Sequence, residues 1–400
     1  YVFNNNSTIA VRLSIGEDNN TQYQGFDIWN NGSHSDDEYS LFSPELNSSR
    51  VLYYFNSEDN ASVGQINISP HDSQFFHPQV NETSLKFGQS VVINDWNQTI
   101  IGSPGETISH DGAIHVFNKE VNGSYSYLEK IIPSVSGQNG QFGHAMEVEN
   151  QFLFVSSPDS STSSGLVDIF TRESNGSYGF TESLNTVGEN LDSFGWDISA
   201  ADNYLAVSSL QSINNGGGKI SIFENNGTNW GIDTVLRADD NQSNDEFGYS
   251  LNLSGPRLLV GAPKADANGT DSGAAYIFEQ NASGWFQTAK LSPIGLSAGD
   301  EFGYSVSLAN NLAFVGARQK DGNGTNAGAV YIFHLNGLNW EQVSIIYPPQ
   351  DQSNQFFSSD LKVNTDILAV SSPSQGEGYV HLYRVESNGS HISLISSLIL

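Results

Sequence analysis

The sequence of 400 residues contains no cysteine, one methionine and only 15 basic residues. Without cysteine, the chain can have neither a disulfide framework nor a thiolate site. Because 44 acidic residues outnumber those 15 basic ones, the formal net charge is −29. This charge opposes binding to nucleic acid or to anionic lipid surfaces, and it favours cations and cationic surfaces. No apolar run approaches the roughly 18 residues of a membrane span, so we expect no membrane-spanning segment.

The sequence is rich instead in the acceptor pattern for N-linked glycosylation, Asn-x-Ser/Thr, which occurs eighteen times. Chance in so Asn-rich and Ser-rich a chain would supply roughly half of these occurrences. One interpretation is a set of polar turns; the other, which we favour, is a glycoprotein that is secreted or displayed at the cell surface. The acceptors are Asn5, Asn6, Asn19, Asn31, Asn47, Asn60, Asn67, Asn81, Asn97, Asn122, Asn175, Asn226, Asn241, Asn252, Asn268, Asn281, Asn323 and Asn388.

A repeat of about 53 residues organises the chain. Each unit contains four short runs rich in β-branched and aromatic residues, such as FGYSLNL, RLLVGAP, GAAYIFEQ and WFQTAKLSP. Such runs between Gly, Asn, Asp and Pro predict strands, and four strands at this period are typical of a β-propeller blade. The dipeptide Phe-Gly marks the start of each unit at Phe87, Phe142, Phe194, Phe247 and Phe302, and Phe356-Phe357 continues the series.

The turn between the third and fourth runs is the most regular connection, with Asn-Gly in VNGSY, SNGSY, NNGTNW, LNGLNW and SNGSH and Asn-Ala in QNASGW. Asn-Gly tolerates the positive φ angles of tight hairpins. Five of these six turns are also acceptor sites, at Asn122, Asn175, Asn226, Asn281 and Asn388. A glycan acceptor and a turn signal therefore share one position, which lies on one face of the predicted propeller.

We predict an all-β fold, a seven-bladed β-propeller of four-stranded antiparallel blades spanning residues 37–400. The blades are expected to start near residues 37, 87, 142, 194, 247, 302 and 356. The first is divergent, with residues 49–68 as its second and third strands and DDEYSL (36–41) upstream.

Residues 1–36 are predicted to form an N-terminal β extension. Apolar Ile9, Val11, Leu13 and Ile15 alternate with Ala10, Arg12 and Ser14, which is the pattern of a half-buried strand. This strand could pair within its own chain, or it could add to the sheet edge of a neighbouring copy and act as an assembly strand. Both arrangements stay open at this point.

The stretches DEFGYSLNLSGPRLLVGAP (245–263) and SGAAYIFEQNASGWFQTAKL (272–291) resemble FG-GAP repeats. They are similar to the integrin α-subunit propeller and more closely to bacterial-type secreted FG-GAP proteins. The resemblance covers residues 87–400 well and residues 37–86 weakly. It implies a propeller fold and, for integrin-like members, calcium bound between the two landmark strands. The connections here are as short as LSGPR and lack several carboxylates, so we expect no calcium at the integrin-type position.

Acidic residues cluster instead in the next connection of two units. These are Asp266, Asn268 and Asp271 in KADANGTDSG, with Asp321 and Asn323 at equivalent places in QKDGNGTNAG. Alternating Asp and Asn with Gly can wrap Ca²⁺, but the same residues form ordinary turns. We favour turns, keep calcium as the alternative, and expect no required cofactor.

No nucleophile, zinc, phosphate-loop or dinucleotide motif occurs, so we predict a protein that is not an enzyme; a glycosidase-like carboxylate pair is the less favoured alternative. Trp230, Trp285 and Trp340 recur at the fourth strand and indicate blade packing. Trp29, Trp96 and Trp196 fall outside that register and are candidates for a carbohydrate-binding surface.

Two functions therefore compete. In the first, the chain is a structural or adhesive subunit that assembles with copies of itself through residues 1–36. In the second, a monomeric module binds an extracellular glycan or protein through the loops on the face opposite the Asn-Gly hairpins.

Overall fold

The structure, a computed structural model, describes residues 86–106, 111–135, 140–158, 165–185, 193–210, 217–291, 293–322, 324–349, 353–373 and 378–399. It also describes the strand backbones at 11–15, 50–56 and 62–68. No helix in this described part has the length and hydropathy needed to span a bilayer.

Three strands near the N-terminus form one antiparallel sheet. They are β1 (Val11–Ile15), β2 (Arg50–Asn56) and β3 (Ser62–Ile68). Strand β1 pairs with β2 in the same chain, so that Leu13 lies opposite Tyr54. Of the four residues proposed for the assembly strand, Val11, Leu13 and Ile15 lie in β1, and Ile9 falls outside the described residues.

Six four-stranded antiparallel sheets follow, and each keeps its strands in chain order. Blade 1 consists of β4 (Val91–Ile93), β5 (Gln98–Ser103), β6 (Ala113–Lys119) and β7 (Tyr125–Ile131). Blade 2 consists of β8 (Met146–Glu149), β9 (Phe152–Ser157), β10 (Leu166–Arg172) and β11 (Tyr178–Leu184). Blade 3 consists of β12 (Ile198–Ala201), β13 (Tyr204–Ser209), β14 (Lys219–Asn225) and β15 (Trp230–Leu236).

The remaining three blades have the same layout. Blade 4 consists of β16 (Ser250–Ser254), β17 (Arg257–Ala262), β18 (Ala274–Asn281) and β19 (Gly284–Leu291). Blade 5 consists of β20 (Phe302–Ala309), β21 (Leu312–Ala317), β22 (Ala329–Asn336) and β23 (Asn339–Ile346). Blade 6 consists of β24 (Leu361–Asn364), β25 (Ile367–Ser372), β26 (Tyr379–Val385) and β27 (Ile392–Ile399).

The expected propeller of four-stranded blades is confirmed, but the predicted count of seven is wrong, because the described residues contain six such blades. The strands predicted at 49–68 are present as β2 and β3, in a sheet of three strands. Its first strand comes from β1 rather than from DDEYSL at 36–41, which lies outside the described residues. DDEYSL lacks the Phe-Gly pair that joins one blade to the next, whereas β1 has a strongly alternating strand pattern.

Successive blades meet through backbone contacts at the Phe-Gly motif. The Phe302 N–H of blade 5 donates to the Ser272 carbonyl of blade 4 at 3.0 Å, and Phe302 forms a bridge with Gly273. A Cβ on Gly273 would lie 2.1 Å from the Phe302 carbonyl oxygen. The blades can therefore approach this closely only where a glycine precedes the third strand. Equivalent glycines, with φ between 87° and 98°, are Gly112, Gly165, Gly218, Gly273 and Gly328.

The residue before each motif phenylalanine has a left-handed backbone. Its φ lies between 49° and 56° at Lys86, Gln141, Ser193, Glu246, Glu301 and Phe356. Phe356 therefore occupies the position of Glu301, and the motif residue of blade 6 is Phe357, which bridges to Gly328. Of the two adjacent phenylalanines that continue the series, the second is thus the one that joins the blades.

The motif phenylalanines form the centre of the packing. Phe142, Phe194, Phe247, Phe302 and Phe357 are fully buried. Each packs against the third strand of its own blade; the Phe302 and Tyr331 rings, for example, meet edge to face at 5.4 Å. Burying a side chain of this size contributes about 1.5–3 kcal/mol. Phe87, which opens blade 1, is only half-buried.

Side chains on the first strands supplement these backbone contacts. The Leu253 N–H donates to Ser199 Oγ at 3.0 Å, and the Leu308 N–H donates to Asn252 Oδ1 at 2.7 Å. Each bond links the first strand of one blade to that of the next. These N–H groups lie on the free edge of each first strand, so side chains of the preceding blade satisfy donors that no sheet partner reaches.

Replacing Gly273 with alanine tests the close approach between blades. We expect Gly273→Ala to lower the free energy of unfolding by about 2–4 kcal/mol, because the left-handed backbone is strained and the new Cβ meets a backbone carbonyl that cannot rotate away. Urea denaturation followed by fluorescence measures the change. Gly231→Ala is the matched control, since a Cβ on Gly231 meets nothing within 4 Å. Equal stability of the two variants would contradict this account.

Candidate functional site

The residues that follow the Gly of the motif form a row of rings across four consecutive blades. They are His144, Trp196, Tyr249 and Tyr304. The centroid distances between neighbours are 5.0, 5.7 and 4.8 Å, and the planes are tilted by 42° to 48°. All four side chains are half-buried, so each ring keeps part of its surface towards solvent. We call these four residues the aromatic row.

The repeat itself builds the aromatic row. The motif phenylalanine turns into the blade, the glycine adopts φ near 90°, and the next side chain stands where the first strand begins. Because the first strands of successive blades are neighbours, residues one repeat apart lie side by side. The Tyr249 hydroxyl also donates to the Tyr304 hydroxyl at 2.9 Å, which links blades 4 and 5. At this position blade 1 has Gln89 and blade 6 has Ser359, so the row ends at both sides.

The aromatic row ends, beyond Tyr304, at the positively charged side chain of Arg318. The Arg318 guanidinium lies 3.7 Å from the centroid of the Tyr304 ring. Its Nε donates to Glu301 Oε2 at 2.6 Å, and Lys264 Nζ lies 2.5 Å from Glu301 Oε1. Burial alone would raise the pKa of Glu301, but the hydrogen bonds from Arg318 and Lys264 outweigh burial and lower it. The buried carboxylate therefore stays charged and holds the guanidinium against the ring.

An open cleft of about 490 Å³ continues from Arg318 towards blade 6. It is lined by Arg318, Gln319, Asn326, Phe356, Ser359 and Pro373. The set combines an aromatic ring, amides, a hydroxyl and a cation. The cleft and the aromatic row together form a continuous surface of rings and hydrogen-bonding groups.

This surface lies on the face opposite the Asn-Gly hairpins. The first strand of each blade begins at the motif and runs to the first turn, and the antiparallel third strand runs the same way to the hairpin. The hairpins at Asn122, Asn175, Asn226 and Asn281 therefore share the far face with the turns between first and second strands. The loops between second and third strands share the face of the aromatic row.

Two acidic residues, Asp197 and Glu147, lie close to the aromatic row along the chain, near the first strands of blades 3 and 2. Asp197 accepts hydrogen bonds from the Leu251 N–H at 2.7 Å and from the Ile198 N–H at 2.9 Å. Burial raises the pKa of Asp197 to about 7, although these bonds and the charge of Lys362 act in the other direction. Burial likewise raises the pKa of Glu147, which Lys362 lowers in part. Lys362 belongs to blade 6, so it acts across the central space on blades 2 and 3.

The residues proposed for calcium lie in turns on the face of the aromatic row. Asp266 Oδ1 accepts the Asp271 N–H at 2.9 Å, and Lys264 Nζ lies 3.6 Å from Asp271 Oδ2. The Asn268 N–H donates to Ser272 Oγ at 2.8 Å. In the neighbouring blade Asp321 Oδ1 accepts the Asn326 N–H at 2.9 Å, and Asn323 falls outside the described residues. Within the described residues, no three His, Cys, Asp or Glu side chains lie close enough together to hold a metal ion.

The tryptophans predicted as candidates for a carbohydrate surface lie apart. Trp196 belongs to the aromatic row, whereas Trp96 is exposed on the hairpin face with the Arg172 guanidinium 4.6 Å from its ring. Trp29 falls outside the described residues. Trp230 and Trp285, for which the sequence predicts blade packing, are 4% and 7% exposed and pack against Phe154 and Tyr204 of the preceding blades. Trp340 is partly buried against the core.

The acceptor asparagines also differ in their surroundings. Nine of them lie in the part of the chain whose side chains are described, and seven of these are exposed. The exposed ones are Asn97, Asn122, Asn175, Asn226, Asn268, Asn281 and Asn388. Asn241 and Asn252 are half-buried. Asn67 lies in β3, and Asn5, Asn6, Asn19, Asn31, Asn47, Asn60, Asn81 and Asn323 fall outside the described residues.

The family described as FG-GAP repeat matches residues 230–278 and 285–333. These two segments are FG-GAP repeats. Each matched FG-GAP segment begins in the outer strand of one blade, β15 or β19, and ends in the third strand of the next, β18 or β22. The family unit therefore spans the contact between two blades, where the motif phenylalanine meets the preceding glycine.

Among solved structures, a protein from Lactobacillus plantarum determined by a structural genomics consortium is similar to this chain. The TM-score is 0.53 at 10% sequence identity, and the match covers 98% of this chain and 96% of that one. At this identity the likeness shows the fold alone. No curated protein matches the chain.

Of the four residues in the aromatic row, the sequence predicts only Trp196 as a candidate binding residue. His144, Tyr249 and Tyr304 stand at the same place after the motif glycine, so an alignment of the repeats would have shown an aromatic or imidazole ring in four successive units. Arg318 carried no such signal, because it comes from a different loop of blade 5.

The raised pKa of Asp197 predicts a specific dependence of stability on pH. A carboxyl group that binds its proton more tightly in the folded chain adds stability at low pH and loses this contribution as the pH rises towards 7. We therefore expect the wild type to lose stability relative to Asp197→Asn between pH 5 and pH 8. Thermal denaturation across this range measures the difference, with the exposed Asp233→Asn as the control for loss of one charge. A difference that does not change with pH would contradict the prediction.

Proposed function

We propose that this protein is a non-catalytic extracellular glycoprotein whose propeller binds a glycan across the aromatic row. The observation that carries the proposal is the continuous line of half-buried rings from His144 to Tyr304, which ends at Arg318. Sugar rings present apolar C–H faces and polar hydroxyl edges. Aromatic faces provide apolar contact at a low cost in conformational entropy, and the neighbouring amides and guanidinium provide hydrogen bonds.

The form of the surface favours an extended ligand. Three successive steps of about 5 Å separate the four rings, and the cleft beside Arg318 continues the same surface. A single sugar would cover one or two of the rings, whereas an oligosaccharide chain could lie along all of them. The surface offers contact and orientation rather than a nucleophile paired with a base, which supports binding without catalysis.

The location of the row supports a role outside the cell. The face with the row is opposite the five hairpin acceptors, so glycans attached at those hairpins would leave the binding surface open. The exposed acceptor Asn268 lies on the face of the row. The absence of cysteine is compatible with this environment, because the blades are held by backbone contacts and buried phenylalanines.

Truncating the central ring tests the proposed function. We expect Trp196→Ala to weaken glycan binding by about tenfold or more, because a central aromatic side chain often contributes 2 kcal/mol or more to an interface. The purified full chain is screened on a glycan array, and the best oligosaccharide is then titrated by calorimetry against both forms.

Trp96→Ala is the matched control, since it removes an exposed tryptophan from the opposite face. Thermal denaturation checks that both variants fold, because Trp196 also packs against His144 and Tyr249. The proposal is wrong if no glycan binds the wild type, or if the two variants bind with equal affinity.

A second candidate function, self-association, is favoured by the outer strand of blade 6. On β27, Leu394, Ile395 and Leu398 are 46%, 49% and 48% exposed. The strand contains no charged residue, whereas each of the outer strands β7, β11, β15, β19 and β23 contains at least one. Uncharged apolar edges are the ones that pair with other strands. A second copy is the fitting partner, because chains of net charge −29 repel each other except where a surface is neutral.

A charge placed on this edge tests self-association. We expect the wild type to show concentration-dependent association in sedimentation velocity and Leu394→Lys to remain monomeric. Ile232→Lys is the control, because Ile232 is 61% exposed on an outer strand that already carries Asp233. Association that survives Leu394→Lys but is lost on deletion of residues 1–36 would instead identify the N-terminal strand as the assembly element.

A further inference from the structure

We propose that the folded, secreted protein carries N-linked glycans at the five hairpin acceptors and none at Asn241 or Asn252. The hairpin acceptors are Asn122, Asn175, Asn226, Asn281 and Asn388. The inference rests on the proposed extracellular location and is independent of glycan binding by the aromatic row. The glycan is attached to the asparagine amide, and the surroundings of this amide differ between the hairpin acceptors and the other two.

The five hairpin asparagines share one conformation. In each, the side-chain Oδ1 accepts the backbone N–H of the residue two positions later, at 2.8 to 3.0 Å. That residue is the Ser or Thr of the acceptor pattern. The hydroxyls of Ser177 and Ser390 also donate to the Oδ1 of Asn175 and Asn388, at 2.7 and 2.8 Å. These bonds hold each amide through its oxygen.

This conformation suits the transfer reaction. The hairpin Nδ2 attacks the anomeric carbon of an oligosaccharide carried on a polyisoprenoid diphosphate, which the secretory pathway of the host supplies. The new C–N bond forms as the C–O bond to the diphosphate breaks. The diphosphate leaves with the electron pair, and one Nδ2 proton passes to a base of the transferase. At Asn226 the other amide proton can keep its bond to Asn229 Oδ1 at 2.9 Å.

Asn252 has a structural role that conflicts with a glycan. It is half-buried within β16, and its Oδ1 accepts the Leu308 N–H of the next blade at 2.7 Å. Its amide therefore lies between the first strands of blades 4 and 5. A sugar on Nδ2 would have to fit into this contact, so chains modified there cannot close the blades as observed.

Asn241 is constrained in a similar way. It lies in the connection between blades 3 and 4, is half-buried, and donates from Nδ2 to the Gly218 carbonyl at 3.1 Å. A Cβ built on Gly217 would lie 2.3 Å from Asn241 Oδ1, which shows how closely the amide packs against that backbone. A sugar on this nitrogen would displace the chain from the glycine that blade 4 needs for its approach.

Site occupancy in the secreted chain tests the inference. The full chain is expressed in a eukaryotic secretory host, and the folded secreted protein is digested. Glycosidase release in ¹⁸O-labelled water marks each formerly glycosylated asparagine, and mass spectrometry measures its occupancy. We expect the five hairpin sites to be modified several-fold more often than Asn241 and Asn252, which should be close to unmodified.

Two variants separate modification from structure. Asn175→Gln should lose the mass of one glycan and lower the thermal midpoint less than Asn252→Gln, because it gives up only local bonds of an exposed turn. Asn252→Gln should lose no glycan mass and should lower the midpoint, because the longer side chain misplaces the acceptor for the Leu308 N–H. The inference is overturned if Asn241 or Asn252 is occupied in folded secreted protein, or if the hairpins are no more occupied than these two. Neither result bears on the glycan titration of Trp196→Ala.

Discussion

The close approach of one blade's backbone to the next, at the phenylalanine of the motif, is the constraint on which the rest of the structure depends. The Phe302 N–H reaches a carbonyl of the preceding blade, and the facing Gly273 leaves no room for a Cβ. Because this contact is made of backbone atoms, its dimensions do not vary with the side chains of the blade. The buried ring then fills the space that the turn creates, and the first strands are brought into line along the axis.

From this regularity follows the division of the molecule into two unlike faces. One face collects short turns and hairpins, whose asparagines hold their own backbone by local hydrogen bonds. The other collects the longer loops, the aromatic row and the ion pairs around Glu301. Some acidic side chains are paired with nearby groups. Glu301 forms ion pairs with two cations, and Asp240 pairs with Lys290 and accepts a hydrogen bond from the Tyr276 hydroxyl. At Glu301, this pairing keeps a buried carboxylate charged despite desolvation.

Periodic features could be predicted from the sequence, and features that join distant segments could not. The Phe-Gly spacing and the Asn-Gly turns gave the strands, the hairpins and the packing roles of Trp230 and Trp285. The choice between Phe356 and Phe357 depended on which residue takes the left-handed backbone. The pairing of β1 with β2 is a long-range contact that a local pattern does not specify. The aromatic row combines four blades, and each unit alone contains a single half-buried ring at this position.

The position after the motif glycine has a further consequence. The backbone contact between blades uses the phenylalanine and the glycine, so the next residue meets its neighbours only through its side chain. The row therefore repeats one position of the blade with three kinds of ring, a histidine, a tryptophan and two tyrosines. A ligand with its own chemical repeat would meet several similar subsites and could bind in more than one register. A ligand shifted by one unit would meet a different set of rings, so its affinity would differ from one register to the next.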